Sequence, residues 1–261
     1  VINTEIVTLN VITAAVLAAI IWNLLTWWWG LPSSSSHTLV GGLVGAAVAA
    51  SGFGSVVYSG VAKIALFIVV APVLGMVMSY IISVAVLHIV KNKSPFGVDK
   101  HFRRLQLVSA SAFSLGHGGN DAQKSMGIIW VALIAAGKVT EDSPIDLWIV
   151  LSCHGAIALG TLFGGWRIVK TMGQKITKLK PFEGFCAETA GAITLFMATH
   201  FGIPVSTTHT ITGSIIGVGA TKRASAVQWG VTTKIFWAWI LTIPVSALIG
   251  AAIFYTIELI F

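Results

Sequence analysis

Two stretches of this sequence, "GLPSSSSHT" from Gly30 and "GIPVSTTHT" from Gly202, set a row of hydroxyls just after a Gly-x-Pro run. Gly-x-Pro ends a helix, and its proline suits the start of the next one. Ser34, Ser35 and Ser36, and likewise Ser206, Thr207 and Thr208, are therefore expected at the first turn of a new half-helix. Unsatisfied backbone N–H groups and the positive end of the helix dipole favour an anion there, and hydroxyls add donors without adding charge. Two such tips brought face to face would suit a small tetrahedral oxyanion. For either row alone, plain N-capping is the alternative. His37 with Thr38, and His209 with Thr210, close the two motifs. The imidazoles are expected to hydrogen-bond loop carbonyls, with a substrate or proton role as the alternative.

A third constellation is "FSLGHGGNDAQKSMGII", where glycines and then Asn120, Asp121, Gln123 and Lys124 interrupt an apolar stretch. A carboxylate inside an apolar run is costly and points to function. With Asn120 and carbonyls of an unwound glycine backbone, Asp121 has the oxygen ligands that a hard monovalent cation needs, or it carries a proton. A salt bridge from Asp121 to Lys124 is the structural alternative. Glu188 and His200 are read either as functional groups or as hydrogen-bonding partners within a helix pair.

The elements that must position these groups are membrane helices. The 261 residues are 56% hydrophobic and only 10% charged, with a mean hydropathy of +0.88, against roughly 25% charged in an ordinary soluble domain. The runs 64–90 and 229–261 reach the roughly 20 apolar residues that cross a bilayer. The net charge of +7 does not indicate nucleic acid, because the basic residues lie in short loops where the positive-inside rule accounts for them. Cys153 and Cys186 sit in or beside apolar segments and read as buried thiols rather than a disulfide or a metal site. Trp27, Trp28 and Trp29 suit an interfacial belt in the lipid bilayer.

The chain is internally duplicated. "GLPSSSSHTLVGGLVGAAV" aligns without gaps on "GIPVSTTHTITGSIIGVGA", pairing Ser34 with Ser206, His37 with His209, Gly41 with Gly213 and Gly45 with Gly217. At the same offset Pro72 falls opposite Pro244. Loop charge makes "KNKSPFGVDKHFRR" and the cluster Arg167 to Lys180 cytoplasmic, and puts Glu141, Asp142 and Asp146 outside. Each hydroxyl motif then lies in a helical hairpin, and the two hairpins open to opposite sides. The expected architecture is an all-α membrane protein, an inverted-repeat transporter whose two hairpins and broken helices meet near the membrane midplane. Residues 1–90 make a first repeat, 91–104 a basic cytoplasmic loop, and 105–261 the second, inverted repeat.

The sequence resembles the inorganic phosphate transporter family. "GHGGNDAQKSMG" is similar to that family's glycine-Asn-Asp signature, and "GLPSSSSHT" and "GIPVSTTHT" are similar to its two hairpin motifs. The resemblance covers nearly the whole chain. It implies phosphate symport with sodium or protons, with Asn120 and Asp121 in the coupling-ion and phosphate site and the six hairpin hydroxyls on phosphate oxygens. It implies no cofactor beyond the coupling ion and no resident metal. It also implies a multi-pass protein of a bacterial or archaeal cell membrane, compatible with a homodimer. The Gln123–Lys124 tail departs from the Val-Ala-Asn-Ala ending often found in the signature. The signature occurs once here where the family carries it twice, and the repeat register puts its partner before Val1. The first repeat is thus expected to lack its start.

Three other readings stand beside symport. Hydroxyls and helix dipoles also suit sulfate or another tetrahedral oxyanion. Ser36 beside His37 could suggest an intramembrane hydrolase, but no Gly-x-Ser-x-Gly elbow is present. A truncated, non-transporting membrane subunit is the third. No Gly-x-x-x-x-Gly-Lys-Ser/Thr loop occurs, so an ion gradient rather than ATP is the expected source of work.

Overall fold

The computed structural model describes residues 1–260, the side chain of Glu5 excepted, and it is helical throughout, with no strand among the described residues. Along the chain run α1 (Leu9–Trp29), α2 (Ser35–Ser51), α3 (Tyr58–Val90), α4 (Pro95–Ala135) and α5 (Leu147–Leu162). There follow α6 (Trp166–Lys170), which continues as the π-helical Thr171–Ile176, and then α7 (Pro181–His200), α8 (Thr207–Lys222) and α9 (Trp229–Ile260). By length and composition α1, α3 and α9 can cross a membrane. The bent run from α5 through Ile176 makes a fourth if counted as one span.

The Gly-x-Pro motifs do break the chain, and in the same way. Gly30 and Gly202 take left-handed backbone, at φ 67° and 61°, which only glycine adopts at little cost. Leu31 N–H then bonds the Thr26 carbonyl at 2.9 Å, and Ile203 N–H bonds the Ala198 carbonyl at 2.8 Å. The paired bonds from Gly30 to Trp27 and from Gly202 to Thr199 complete a Schellman closure at each helix end. Each pair, α1 with α2 and α7 with α8, is therefore a helical hairpin with a tight tip.

Two compact units divide the chain. The first comprises Val1–Ala65, Asp121–Gly165 and Trp237–Phe261; the second comprises Leu66–Asn120 and Trp166–Phe236. The α1–α2 hairpin belongs to the first unit, where the latter part of α9 covers it. Gly41 faces the Ile243 carbonyl and Ser246, and Gly45 lies against the Ala247 backbone. The α7–α8 hairpin belongs to the second unit, where α3 covers it, with Gly213 on Pro72 and Gly217 on Met76 and Ser79. Small residues spaced by four allow this backbone approach between membrane helices. The helix that follows each hairpin thus packs on the other one, a reciprocal exchange that carries the duplication into the tertiary structure.

Two expectations are corrected. The basic segment 91–104 is mostly helix, because Ser94 and Pro95 start α4 there: Ser94 Oγ accepts the Gly97 N–H at 3.2 Å, and Pro95 needs no N–H partner in the first turn. An Asp99–Arg103 pair at 2.9 Å supports that turn. The glycines before Asn120 also leave no unwound segment, since α4 runs unbroken from Pro95 to Ala135. Glycine weakens a helix by about 1 kcal/mol but does not stop one in the αR conformation. The stop comes at Gly137, in left-handed backbone at φ 67°.

The close approaches yield a test. Gly45→Ala and Gly217→Ala each drive a methyl into a facing backbone and should cost about 1–3 kcal/mol of stability, read as a lower Tm in detergent. Gly155→Ala on α5 meets open space and should leave stability unchanged or raise it by up to about 1 kcal/mol, with Tm unchanged or higher. Equal losses in all three would contradict the packing.

Candidate functional site

The hairpin tips show first which hydroxyls are already engaged. Ser34 and Ser206 are the N-caps of α2 and α8: their Oγ atoms accept the N–H of His37 and His209, each at 3.3 Å. Thr38 Oγ1 lies 2.9 Å from the Ser34 carbonyl and Thr210 Oγ1 lies 3.0 Å from that of Ser206. The same four atoms thus make the same bonds in both copies. Ser34 and Ser206 are 2% exposed, so their first task is structural, the alternative raised for them above. His37 and His209 are buried as well.

In the first unit the tip of α2 opens on a cavity of about 310 Å³, lined by Asn23 of α1, by Ser35, Ser36 and Leu39 of α2, and by Asp121, Lys124 and Ser125 of α4. Val16, Ala19, Ile20, Ile128 and Ile129 form its apolar walls. Lys124 is the centre of the polar cluster: Nζ donates to Ser36 Oγ at 2.7 Å and to Asp121 Oδ1 at 3.0 Å. Asp121, Lys124, Ser125 and Ile128 stand at i, i+3, i+4 and i+7 on α4, which puts them on one face. The salt bridge raised above as an alternative for Asp121 is therefore present, and it is tied to the hydroxyl row. The Asp121 and Lys124 side chains keep 18% and 28% of their exposure, so the pair is reached from the cavity.

The tip itself is stabilised from within the same unit. Thr26 Oγ1 and Ser33 Oγ lie 2.7 Å apart, and the Trp239 indole N–H donates to the Pro32 carbonyl at 2.9 Å. Asn23 Oδ1 lies 3.1 Å from Thr38 Oγ1, which fixes Asn23 where α2 begins. The chemistry this arrangement offers is anion capture. Hydroxyls of Ser35 and Ser36, the first amides of α2 and one ammonium converge, while the dipole of α2 adds roughly half a positive charge.

In the second unit the predicted groups are more dispersed. The Asn120 amide nitrogen donates to Thr199 Oγ1 at 2.8 Å, which ties it to α7. Glu188 accepts from Ser109 Oγ at 2.6 Å and from the Gln106 amide at 3.4 Å, joining α7 to α4; it is the hydrogen-bonding partner envisaged above. Thr207 is buried and Thr208 partly exposed at the start of α8. Gln123 and His200 are exposed, and the His200 ring packs edge-on against Phe201 at 5.2 Å.

Asn23 and Ser125 escaped the sequence reading. A lone Asn in the run "IIWNLLTWWW", two turns before a helix break, and a Ser four residues after Asp121 were the signals that could have found them. The capping role separates by mutation from the cavity role. Ser34→Ala and Ser206→Ala should each cost about 1 kcal/mol of stability, seen in thermal melts. Ser35→Ala, exposed and not a cap, should leave the melt within about 0.5 kcal/mol.

Known proteins are similar to this chain over most of its length. A protein of Rhizobium meliloti named "Probable low-affinity inorganic phosphate transporter" is 56% identical over 260 residues, covering 100% of this chain and 78% of its own. A protein of Bacillus subtilis with the same name is 45% identical over 251 residues, covering 96% of this chain and 75% of its own. Among solved structures, one described as "The sodium-dependent phosphate transporter" superposes with a TM-score of 0.86 at 26% identity, over 100% of this chain and 83% of its own. The sequence pattern described as the phosphate transporter family matches residues 1–250. That family consists of transporters, which sets the hydrolase reading aside. An integral membrane protein of helical hairpins, with a basic and hydroxylated tip at its cavity, this chain belongs to the phosphate transporter family.

Proposed function

We propose that this chain carries inorganic phosphate across a membrane with a co-transported sodium ion or proton, and that phosphate docks in the cavity at the tip of α2. The single observation that supports the docking place is Lys124, whose ammonium joins the Ser36 hydroxyl to Asp121 at the positive end of a helix. A tetrahedral oxyanion there would accept from the Ser35 and Ser36 hydroxyls and amides and from Lys124, and charge-assisted bonds of this kind are the strong ones. Apolar walls of Val16, Ile20 and Ile128 lower the local dielectric and strengthen each of these contacts. The tip of α8, with Thr207 and Thr208, is the repeat-related candidate for further phosphate oxygens. The inverted order of the repeats expected from loop charge supports alternating exposure of the site, and lipid covers the exposed apolar helix faces.

The reading is tested by uptake of phosphorus-32-labelled phosphate into proteoliposomes containing the full-length protein. A sodium or proton gradient should drive accumulation, and excess sulfate should leave most of it intact. Ser35→Ala combined with Ser36→Ala should raise the half-saturating phosphate concentration about tenfold or more, from the loss of hydrogen bonds to a charged group. No accumulation under either gradient would refute phosphate symport, and equal uptake of sulfate would replace it with a broader oxyanion permease.

A further inference from the structure

We infer that the second unit carries a separate anion site at the opposite end of α8 from its hydroxyls, a basic pocket that binds a phosphate group. Its position favours the headgroup of an anionic phospholipid as the occupant.

The pocket has a volume of about 250 Å³ and lies wholly within the second unit. Thr177 and Lys178, from the segment ahead of α7, form one wall; Lys222, Arg223, Ser225 and Gln228, from the end of α8 and its connection to α9, form the other. The walls are fastened to each other, because the Gln228 N–H donates to the Ile176 carbonyl at 2.8 Å. Each is also braced from within. The Leu179 N–H donates to the Gly173 carbonyl at 3.2 Å, and the Trp229 indole N–H to the Ala224 carbonyl at 2.9 Å. Ile176 and Val227 are buried, so both connections are anchored.

Three cations line this pocket and no acid does. Lys222 is accounted for by the protein itself: it pairs with Glu183 and stands in the last turn of α8, where the helix dipole favours a cation. Glu183 is fully used, since its second oxygen accepts the Lys180 N–H at 2.9 Å. Lys178 and Arg223 have no carboxylate partner among the described residues, and the side chains of Ser225 and Gln228 make no hydrogen bond there. An ammonium, a guanidinium, a hydroxyl and an amide therefore face one space with their donors unspent. A guanidinium fork matches two oxygens of a phosphate group, and a lysine adds a point charge beside it.

The pocket's place in the fold favours a lipid source for that phosphate. α9, which is long and apolar enough to cross a membrane, starts at Trp229, the residue after Gln228. Trp229 is 51% exposed, and a tryptophan at the start of a span marks the headgroup level. Basic pockets at the cytoplasmic ends of membrane helices hold anionic headgroups, and loop charge assigns this end to the cytoplasm. A bound headgroup would join the segment ahead of α7 to the connection after α8 and so brace the base of the second hairpin.

Native mass spectrometry of the purified full-length protein, titrated with phosphatidylglycerol or with phosphatidylcholine, tests the site. Phosphatidylglycerol should bind in preference to phosphatidylcholine, and Lys178→Gln combined with Arg223→Gln should weaken its first binding step about tenfold or more. Lys91→Gln combined with Lys93→Gln removes the same charge from exposed positions outside the pocket and should leave that step unchanged. A parallel arm counts phosphorus-32-labelled phosphate bound without lipid. One equivalent lost in the Lys178/Arg223 variant, with no change in lipid binding, would assign the pocket to free phosphate and uphold the site. Equal losses in both double variants would mean diffuse surface attraction and overturn it, as would no loss in either arm. Thermal melts confirm folding, and Lys178→Gln alone, in an exposed connection, serves if the double variant does not fold. Because the lipid arm needs no phosphate in the α2 cavity, failure of that cavity as a phosphate site leaves this result readable.

Discussion

The whole arrangement depends on keeping a broken helix satisfied where water is scarce. Interrupted backbone inside a membrane protein survives only if its freed N–H and C=O groups find partners. At the first tip these are the Schellman bonds around Gly30, the cap from Ser34, and the Trp239 indole on the Pro32 carbonyl. The second tip repeats the local part with Gly202 and Ser206. With the break satisfied in this way, the first turns of α2 and α8 are held in fixed positions by the helices around them.

The charges at the first tip follow from the same constraint. A helix N-terminus beside an uncompensated lysine would be two positive ends together, and Asp121 offsets them. The result is a cluster in which the Lys124 ammonium is balanced by Asp121 and held to the Ser36 hydroxyl. The chemistry sits at the meeting of a broken element, α2, with an unbroken one, α4. The first contributes oriented backbone and the second contributes side chains on a single face.

What was legible in the sequence was local. Gly-x-Pro followed by Ser or Thr carries its own geometry, so both hairpins, their register and even the paired positions Ser34 and Ser206 could be read from the residues. Continuity of α4 was misread because Gly118 and Gly119 look like a break when their neighbours are unknown; no left-handed residue or proline accompanies them, and the helix goes on. The Asp121–Lys124 pair was legible from its one-turn spacing, but its tie to Ser36 was not, because that contact joins residues far apart in sequence. Asn120 was grouped with Asp121 because they are adjacent in the chain. Successive residues on a helix point about 100° apart, and the Asn120 amide nitrogen donates to Thr199.

The exchange of covering helices sets an order of events during synthesis. The glycine face of the α1–α2 hairpin, Gly41 and Gly45, is closed by Ile243, Ser246 and Ala247, which the ribosome adds far later than the hairpin itself. Until they emerge, that hairpin waits in the bilayer with its closest-fitting surface turned to lipid. The α7–α8 hairpin finds α3 already made. The hairpin made first is therefore the later one to be covered.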